Sequence, residues 1–326
     1  MKPYLDLRET EIAIKLIKDH FERELAAALH LTRVSAPLMV PVDSGLNDDL
    51  SGVERAVAFD IRETGRNAVI VHSLAKWKRQ ALARYGFSTG EGLYTDMNAI
   101  RRDEDTDALH SLYVDQWDWE QIIEEQQRCM DTLYATVRAI YSTMRDTEAL
   151  VTQAYPHIPA YLPADITFIS AAELEGLYPD VPPDEREQAF AKLHGAICVT
   201  KIGGRLPSGQ RHGSRAPDYD DWDLNCDIIL DYPELGIAME MSSMGIRVSP
   251  ASLRAQLEEA GCLKRSKLPY HKALLAGALP FTIGGGIGQS RLCMYFLKKQ
   301  HIGEVQASIW PEAMVRECGE KGITLL

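Results

Sequence analysis

The segment Ile283-Gly284-Gly285-Gly286-Ile287-Gly288-Gln289-Ser290-Arg291-Leu292 packs four glycines into five positions and then turns helical in character. Glycine lets a backbone approach a ligand closely and take positive φ without steric cost. Gln289, Ser290 and Arg291 are expected in a first helical turn, where free amides favour anions. The Gly-Lys-Ser/Thr ending of a P-loop is absent, and no strand-to-helix unit with a downstream acid frames the glycines as a dinucleotide fingerprint. The residues alone leave two readings open, a glycine-rich turn or a backbone built to receive phosphate.

Outward from this segment, the pattern alternates between strands and helices. Ile14, Ile17, Phe21, Leu25 and Ala28 recur at helical spacing and lead into an extended run, Val34 to Val40. Pro37 lacks a ladder donor, which predicts an edge or interface for that strand. Val57, Phe59 and Ile61 with Ala68 to Val71 read as a strand pair, and Leu74 to Arg84 as a helix. Strands are expected over Tyr94 to Ile100 and Ser111 to Trp119, joined by a charged loop, with one or two long helices from Glu120 to about Ala154. Further strands are expected at 196–202, 226–230 and 236–242, a helix over Pro250 to Ala260, and a last helix beginning near Gly288. Strands separated by long helices but also by short loops predict an α+β fold, a mostly antiparallel sheet flanked by helices. A single domain over 1–326 is expected, with the proline-richer stretch 155–187 as a peripheral insertion.

Three polar segments stand out. On the strand Tyr113-Val114-Asp115-Gln116-Trp117-Asp118-Trp119, alternation puts Val114, Gln116 and Asp118 on one face and the tryptophans on the other. An acid beside an amide suits an α-amino group and a carboxylate, although a solvent-facing edge would look the same. Arg215-Ala216-Pro217-Asp218-Tyr219-Asp220-Asp221-Trp222, with Asp227 and Glu240 further on, gathers carboxylates of the kind that hold magnesium. Glu240 and Ser242 are expected on one face, opposite Ile237, Met239 and Met241. The polar stretches Asp48 to Gly52 and His72 to Arg79 flank strands, with His72 read as structural.

Composition narrows the function classes. Asp and Glu outnumber Lys and Arg by 47 to 35, a formal charge of −12, and there is no long basic run. A protein that grips nucleic acid needs a basic face to displace counterions, so that partner is not expected. The six cysteines form no CxxC pair or Cys/His cluster, which argues against zinc or a disulfide framework and fits a reducing cytoplasm. No signal peptide is expected at the polar first residues. The apolar run Leu274 to Phe281 is too short to span a bilayer and contains Pro280, so no membrane association is expected.

Gly284 to Arg291 resembles the third signature motif of class II aminoacyl-tRNA synthetases. Arg101 with its acidic neighbours, the loop after it and the strand to Asp118 resemble the second. The helix leading into the Pro37 strand resembles the first, which forms a dimer interface in that fold. The longer strings are similar to one relative, the aspartate–ammonia ligase family: His72 to Gln80, Glu91 to Thr95, Tyr113 to Glu120, Arg215 to Trp222 and Ser242 to Arg247, together with the glycine segment. The resemblance covers nearly the whole chain, in order. It implies a homodimer that uses L-aspartate, ammonia and ATP with Mg2+, and yields asparagine, AMP and pyrophosphate through a β-aspartyl adenylate.

By that resemblance, Arg101, Asp118 and Arg291 are the expected catalytic residues. Asp48, Ser73, Lys78, Gln116, Asp118 and Ser243 would bind the amino acid. Arg101, Arg215, Asp220, Asp227, Gly286, Gly288 and Arg291 would bind ATP, with Asp227 and Glu240 at the metal. Two departures from the family pattern are visible: only four residues separate Trp222 from Asp227 where some members carry a longer loop, and Cys226 stands in place of an expected glycine. Two alternatives remain beside this reading, a class II aminoacyl-tRNA synthetase-like protein and a catalytically silent paralogue with a binding role.

Overall fold

The computed structural model describes residues 4–48 and 54–326. Asp49 to Gly52, part of a polar stretch singled out above, lie outside the described residues. Helix α1 (Leu7–Ala28) is opened by Asp6, whose carboxylate accepts from the Glu9 amide at 2.8 Å while the Glu9 carboxylate accepts from the Asp6 amide at 3.1 Å. This reciprocal cap satisfies two otherwise orphaned amides. Its apolar stripe of Ala13, Ile17, Phe21 and Leu25 is fully buried, and the Phe21 ring lies 4.9 Å from that of Trp117.

There follow β1 (Leu31–Arg33), β2 (Met39–Pro41), β3 (Ala58–Ile61), β4 (Arg66–Ile70), α2 (Ala75–Tyr85), β5 (Gly92–Ile100), β6 (Tyr113–Ile122) and α3 (Met130–Ala154). The second half runs β7 (Thr167–Ser170), α4 (Ala171–Leu177), α5 (Pro183–His194), β8 (Ala196–Thr200), β9 (Asp220–Tyr232), β10 (Ile237–Arg247), α6 (Pro250–Glu259), α7 (Pro269–Leu275), β11 (Thr282–Gly288), α8 (Gln289–Phe296) and α9 (Glu312–Glu320).

Among the described residues, eight strands form one sheet in the order β1-β5-β6-β11-β10-β9-β8-β7, and β2-β4-β3 form a small antiparallel sheet. The large sheet is antiparallel through its middle, and only the edge pairs β1–β5 and β7–β8 are parallel. One face carries the main apolar cluster, in which Trp117, Trp119, Ile283, Ile287 and Met244 meet α1, α3 and α8. On the opposite face, α2 packs its Ala81 and Leu82 against Leu93 and Ile122, and beside this apolar patch Asp118 and Glu120 are buried polar side chains.

Several expectations change against this architecture. The extended run 34–40 divides: β1 ends at Arg33 on the edge of the large sheet, and β2 resumes at Met39 in the small one. Pro37, with no amide to donate, sits in the break. The segment after Trp119 remains strand to Ile122, held in register with Leu93 on one side and Gly284 on the other, and the helix begins only at Met130. Helix α8 is not the last, because α9 follows it. The stretch 155–187 supplies β7 to the edge of the large sheet, while its Ile158 and Ile166 join the main core. Trp222 to Asp227 is not a loop but part of the continuous strand β9, and Cys226 points into the core, away from Asp227.

Candidate functional site

The glycine segment is the centre of the sheet. Gly284 to Gly288 lie in β11, between β6 and β10, and none of Gly284, Gly285, Gly286 or Gly288 takes positive φ. The expected conformational freedom is therefore not what these glycines supply; they supply the absence of a side chain. A Cβ at Gly286 would stand 2.5 Å from Gln116 Oε1, and one at Gly284 would stand 2.5 Å from Glu120 Oε2. Gly286 is paired with Asp118 on one flank and Ser243 on the other, so the missing side chain opens a floor between them.

Over that floor lies a cavity of 170 Å3 that brings together Asp48, Ser73, Lys78, Gln116, Asp118 and Ser243, the whole expected amino-acid set. Arg101, Asp220, Glu240 and Gly286 line it as well. The His72 amide donates to Asn47 Oδ1 at 2.8 Å and its Nδ1 lies 3.0 Å from the Asp48 carbonyl, so its ring braces the segment that carries Asp48. The expected Glu240/Ser242 face is corrected by a β-bulge. Glu240 pairs with Ile229 and Ser242 with Ile228, so the extra residue reverses the alternation and Ser243, not Ser242, joins Glu240 at the cavity.

A second chamber, of 210 Å3, holds Gly288 and Arg291 and shares Arg101, Gln116, Glu240 and Gly286 with the first. Arg291 Nη1 donates to the Glu240 carbonyl at 2.9 Å. A third, of 420 Å3, is acidic, with Asp103, Glu104 and Asp105 facing Ser214 and Tyr219. Arg101 lines all three chambers. Among the described residues its ion pair is with Glu104 at 3.7 Å, and its Nε has no hydrogen-bond partner. A guanidinium at the junction of three chambers whose Nε meets no acceptor among the described residues is poised for an external anion.

Beneath the cavity, charges alternate in a chain that sequence reasoning only partly found. Asp118 pairs with Lys78 Nζ, which also donates to the Gly285 carbonyl at 2.9 Å and lies 4.0 Å from Glu120. Glu120 accepts from Arg247 at 2.9 and 3.1 Å and from Thr282 at 2.7 Å; Arg247 also pairs with Asp220. Arg215 lies 3.8 Å from Asp220, donates to Asp227 at 2.7 Å and donates to Ser243 Oγ. Arg215 and Asp227 thus stand at the end of the chain, behind Ser243.

Burial lowers the Lys78 pKa more than Asp118 raises it. Burial also opposes charge on Arg247, but Glu120 and then Asp220 outweigh it and hold its pKa above the usual value. Arg215 is held up in the same way by Asp227 and Asp220. Burial, with Glu240 adding to it against Arg215, pushes Asp227 up to about 7. The Glu240 carboxylate beside it adds to the burial, and the Arg215 guanidinium works the other way.

Glu120 and Arg247 were the residues missed. Glu120 was hidden by reading its segment as helix, and Arg247 shows in sequence only as the cation that ends the Ser242 to Arg247 string. A second missed cluster braces the segment that carries Arg215. Asp218, fully buried, accepts from Lys76 at 3.1 Å, His271 at 2.9 Å and Arg265 at 3.3 Å. The charge of Lys76, with the hydrogen bond from His271 and the charge of Arg265, holds the Asp218 carboxyl well below the usual range despite its burial.

A family model described as aspartate-ammonia ligase matches residues 8–322. The aspartate–ammonia ligase of Clostridium perfringens is 60% identical over 326 residues, covering 100% of this chain and 97% of that protein. That of Fusobacterium nucleatum is 58% identical over 322 residues, covering 99% and 98%. Among solved structures, asparaginyl-tRNA synthetase from Pyrococcus horikoshii, complexed with asparaginyl-adenylate, superposes with a TM-score of 0.67 at 15% identity, over 93% of this chain and 70% of that one. The last likeness establishes the class II synthetase-like fold, and the sequence matches extend over the glycine strand, the Asp118 strand and the Arg101 loop alike: the chain belongs to the aspartate–ammonia ligase family.

Proposed function

We propose that the chain catalyses the ATP-dependent amidation of L-aspartate by ammonia, giving L-asparagine, AMP and pyrophosphate through a β-aspartyl adenylate. The observation that carries this is the position of Arg101, between the Gln116/Asp118 cavity and the Gly288/Arg291 chamber. An amino acid in the first and a nucleotide in the second would meet at its guanidinium. A side-chain carboxylate oxygen of aspartate attacks the α-phosphorus, and the bond to the pyrophosphate oxygen breaks. Ammonia then attacks the acyl carbon with its lone pair, the acyl–oxygen bond to AMP breaks, and the nitrogen loses a proton. Asp48 and Asp118 suit the substrate ammonium, and Gln116 and Ser243 suit its carboxylate. Arg101 and Arg291 neutralise phosphate charge, so positioning and electrostatics carry the catalysis.

Asp227 and Glu240 fit Mg2+. Their all-oxygen donors suit it, and magnesium is typically held by one or two carboxylates with substrate phosphates supplying the rest. The ion would supply charge neutralisation of the phosphates. Arg215, behind Ser243, fixes Asp227 for that task. We further propose a homodimer through α1 and the neighbouring edge, where Ile12, Leu38, Met39 and Val42 are exposed apolar side chains. A cytoplasmic place of work agrees with the free cysteines, and among the described residues no helix is long and apolar enough to cross a membrane. The net charge of −12 disfavours a nucleic-acid partner.

The test is incubation of the purified protein with ATP, magnesium, aspartate and ammonium, with asparagine assayed and AMP separated from ADP. Asparagine and AMP in equal amounts are expected. Absence of both would overturn the proposal, and charging of added tRNA would put a synthetase in its place.

A further inference from the structure

Gln306 is 5% exposed, yet it lines the same chamber as Gly288, Arg291 and Met241. Its amide nitrogen donates to Asp115 Oδ1 at 3.2 Å and to Ser290 Oγ at 3.0 Å. Asp115 in turn accepts from the Ser290 hydroxyl at 2.8 Å, the Ser290 amide at 3.1 Å and Lys18 Nζ at 3.1 Å. A carboxylate surrounded by these donors only accepts, and the Ser290 hydroxyl has already spent its proton on it. The amide of Gln306 therefore has one orientation open to it, nitrogen toward Asp115 and oxygen away. Among the described residues that oxygen has no hydrogen-bond partner. The hydroxyl of Ser242, 1% exposed and lining the same chamber, also has none.

A buried acceptor locked in one direction is costly to leave unmet. We infer that Gln306 is a base-specificity residue of the nucleotide chamber, its Oε1 accepting from the exocyclic amine of adenine while the Ser242 hydroxyl donates to a ring nitrogen. Adenine presents an amine donor beside an acceptor nitrogen; guanine and hypoxanthine present a carbonyl oxygen where adenine has the amine, and that oxygen would face Oε1 acceptor to acceptor. Lys18 and Asp115 act through Gln306 as positioning residues, since they fix which end of the amide faces the base. The inference rests on the reading of this chamber as the ATP site.

The experiment compares ATP, ITP and purine riboside triphosphate, which lacks any group at the amine position, in the wild type and in Gln306→Met. Binding is followed by calorimetry and asparagine formation in parallel. The wild type is expected to favour ATP over both analogues by roughly 10- to 100-fold. In Gln306→Met that preference collapses toward unity through weaker ATP use, with KM for aspartate unchanged. Equal affinity of the wild type for ATP and purine riboside triphosphate would overturn the inference without recourse to any variant, as would an unaltered preference in Gln306→Met. Tight, selective ATP binding without asparagine would instead count against the proposed reaction and leave the role of Gln306 standing.

Discussion

Asp118→Asn separates charge from shape at the centre of the site. Lys78 and Asp118 have side chains 0% and 3% exposed, and the other anion near Lys78 is Glu120 at 4.0 Å. Removing one partner of a buried ion pair costs about 3–5 kcal/mol because a charge is left uncompensated. Asparagine keeps an acceptor oxygen, Glu120 keeps part of the Coulomb attraction, and the Gly285 carbonyl still accepts, so the lower end, about 3 kcal/mol, is expected. A chain of 326 residues has an unfolding entropy of about 0.7 kcal/mol/K, so the melting temperature should fall by about 4 °C.

The sign with pH is also set. Burial places the Lys78 pKa below its unfolded value, and loss of Asp118 lowers it further. The unfolded chain then binds more protons between the two values, stability rises with pH, and the deficit should narrow toward about pH 10. The assay is thermal unfolding across pH for the wild type, Asp118→Asn, Lys78→Met and Asp118→Asn/Lys78→Met. The double variant has no orphaned cation and should recover most of the stability while remaining unable to use aspartate. An unchanged melting temperature in Asp118→Asn, or a double variant whose loss is the sum of the two single losses, would refute the coupled pair.

Arg101→Ala should lower adenylate formation by about 10²–10³-fold or more and leave thermal unfolding near wild type, because Arg101 is 29% exposed and is paired with Glu104 at 3.7 Å; steady-state AMP release and a melting curve check both. Gly286→Ala puts a Cβ 2.5 Å from Gln116 Oε1 and should turn the amide into the cavity, raising KM for aspartate more than KM for ATP, as initial-rate kinetics would show. Asp218 has its folded pKa depressed, so its stabilisation is present above about pH 4 and is lost as pH falls through the lowered folded value. Asp218→Asn should accordingly be least stable relative to wild type at neutral pH, with the gap closing in acid titrations followed by circular dichroism.

The parts of this architecture that repeat along the chain were legible before the structure. The stripe Ile17–Phe21–Leu25 gave α1, and alternation along 113–119 separated Gln116 and Asp118, which line the cavity, from Trp117, which the fold buries in the core. What stayed hidden depends on neighbours distant in sequence. Glu120 continues β6 because Leu93 and Gly284 are paired to it, and no local propensity announces that. The glycines of β11 read as flexible, yet their role is steric and becomes visible only once Gln116 and Glu120 are placed beside them. The bulge at Met241, which exchanges Ser242 for Ser243 at the cavity, comes from how β9 and β10 align and has no sequence marker. Asp227 and Arg215 were grouped correctly by composition, whereas the Glu120–Arg247 link between Lys78 and Asp220 needed the fold.

The central claim, that aspartate is activated as an adenylate on its side chain, is tested most directly with aspartate carrying 18O in the side-chain carboxylate. With ATP, magnesium and ammonium, attack on the α-phosphorus followed by loss of AMP predicts one 18O atom in AMP for each asparagine formed. Label in inorganic phosphate accompanied by ADP would mean attack on the γ-phosphorus, and label absent from AMP while asparagine accumulates would mean no adenylate; either result would contradict the account.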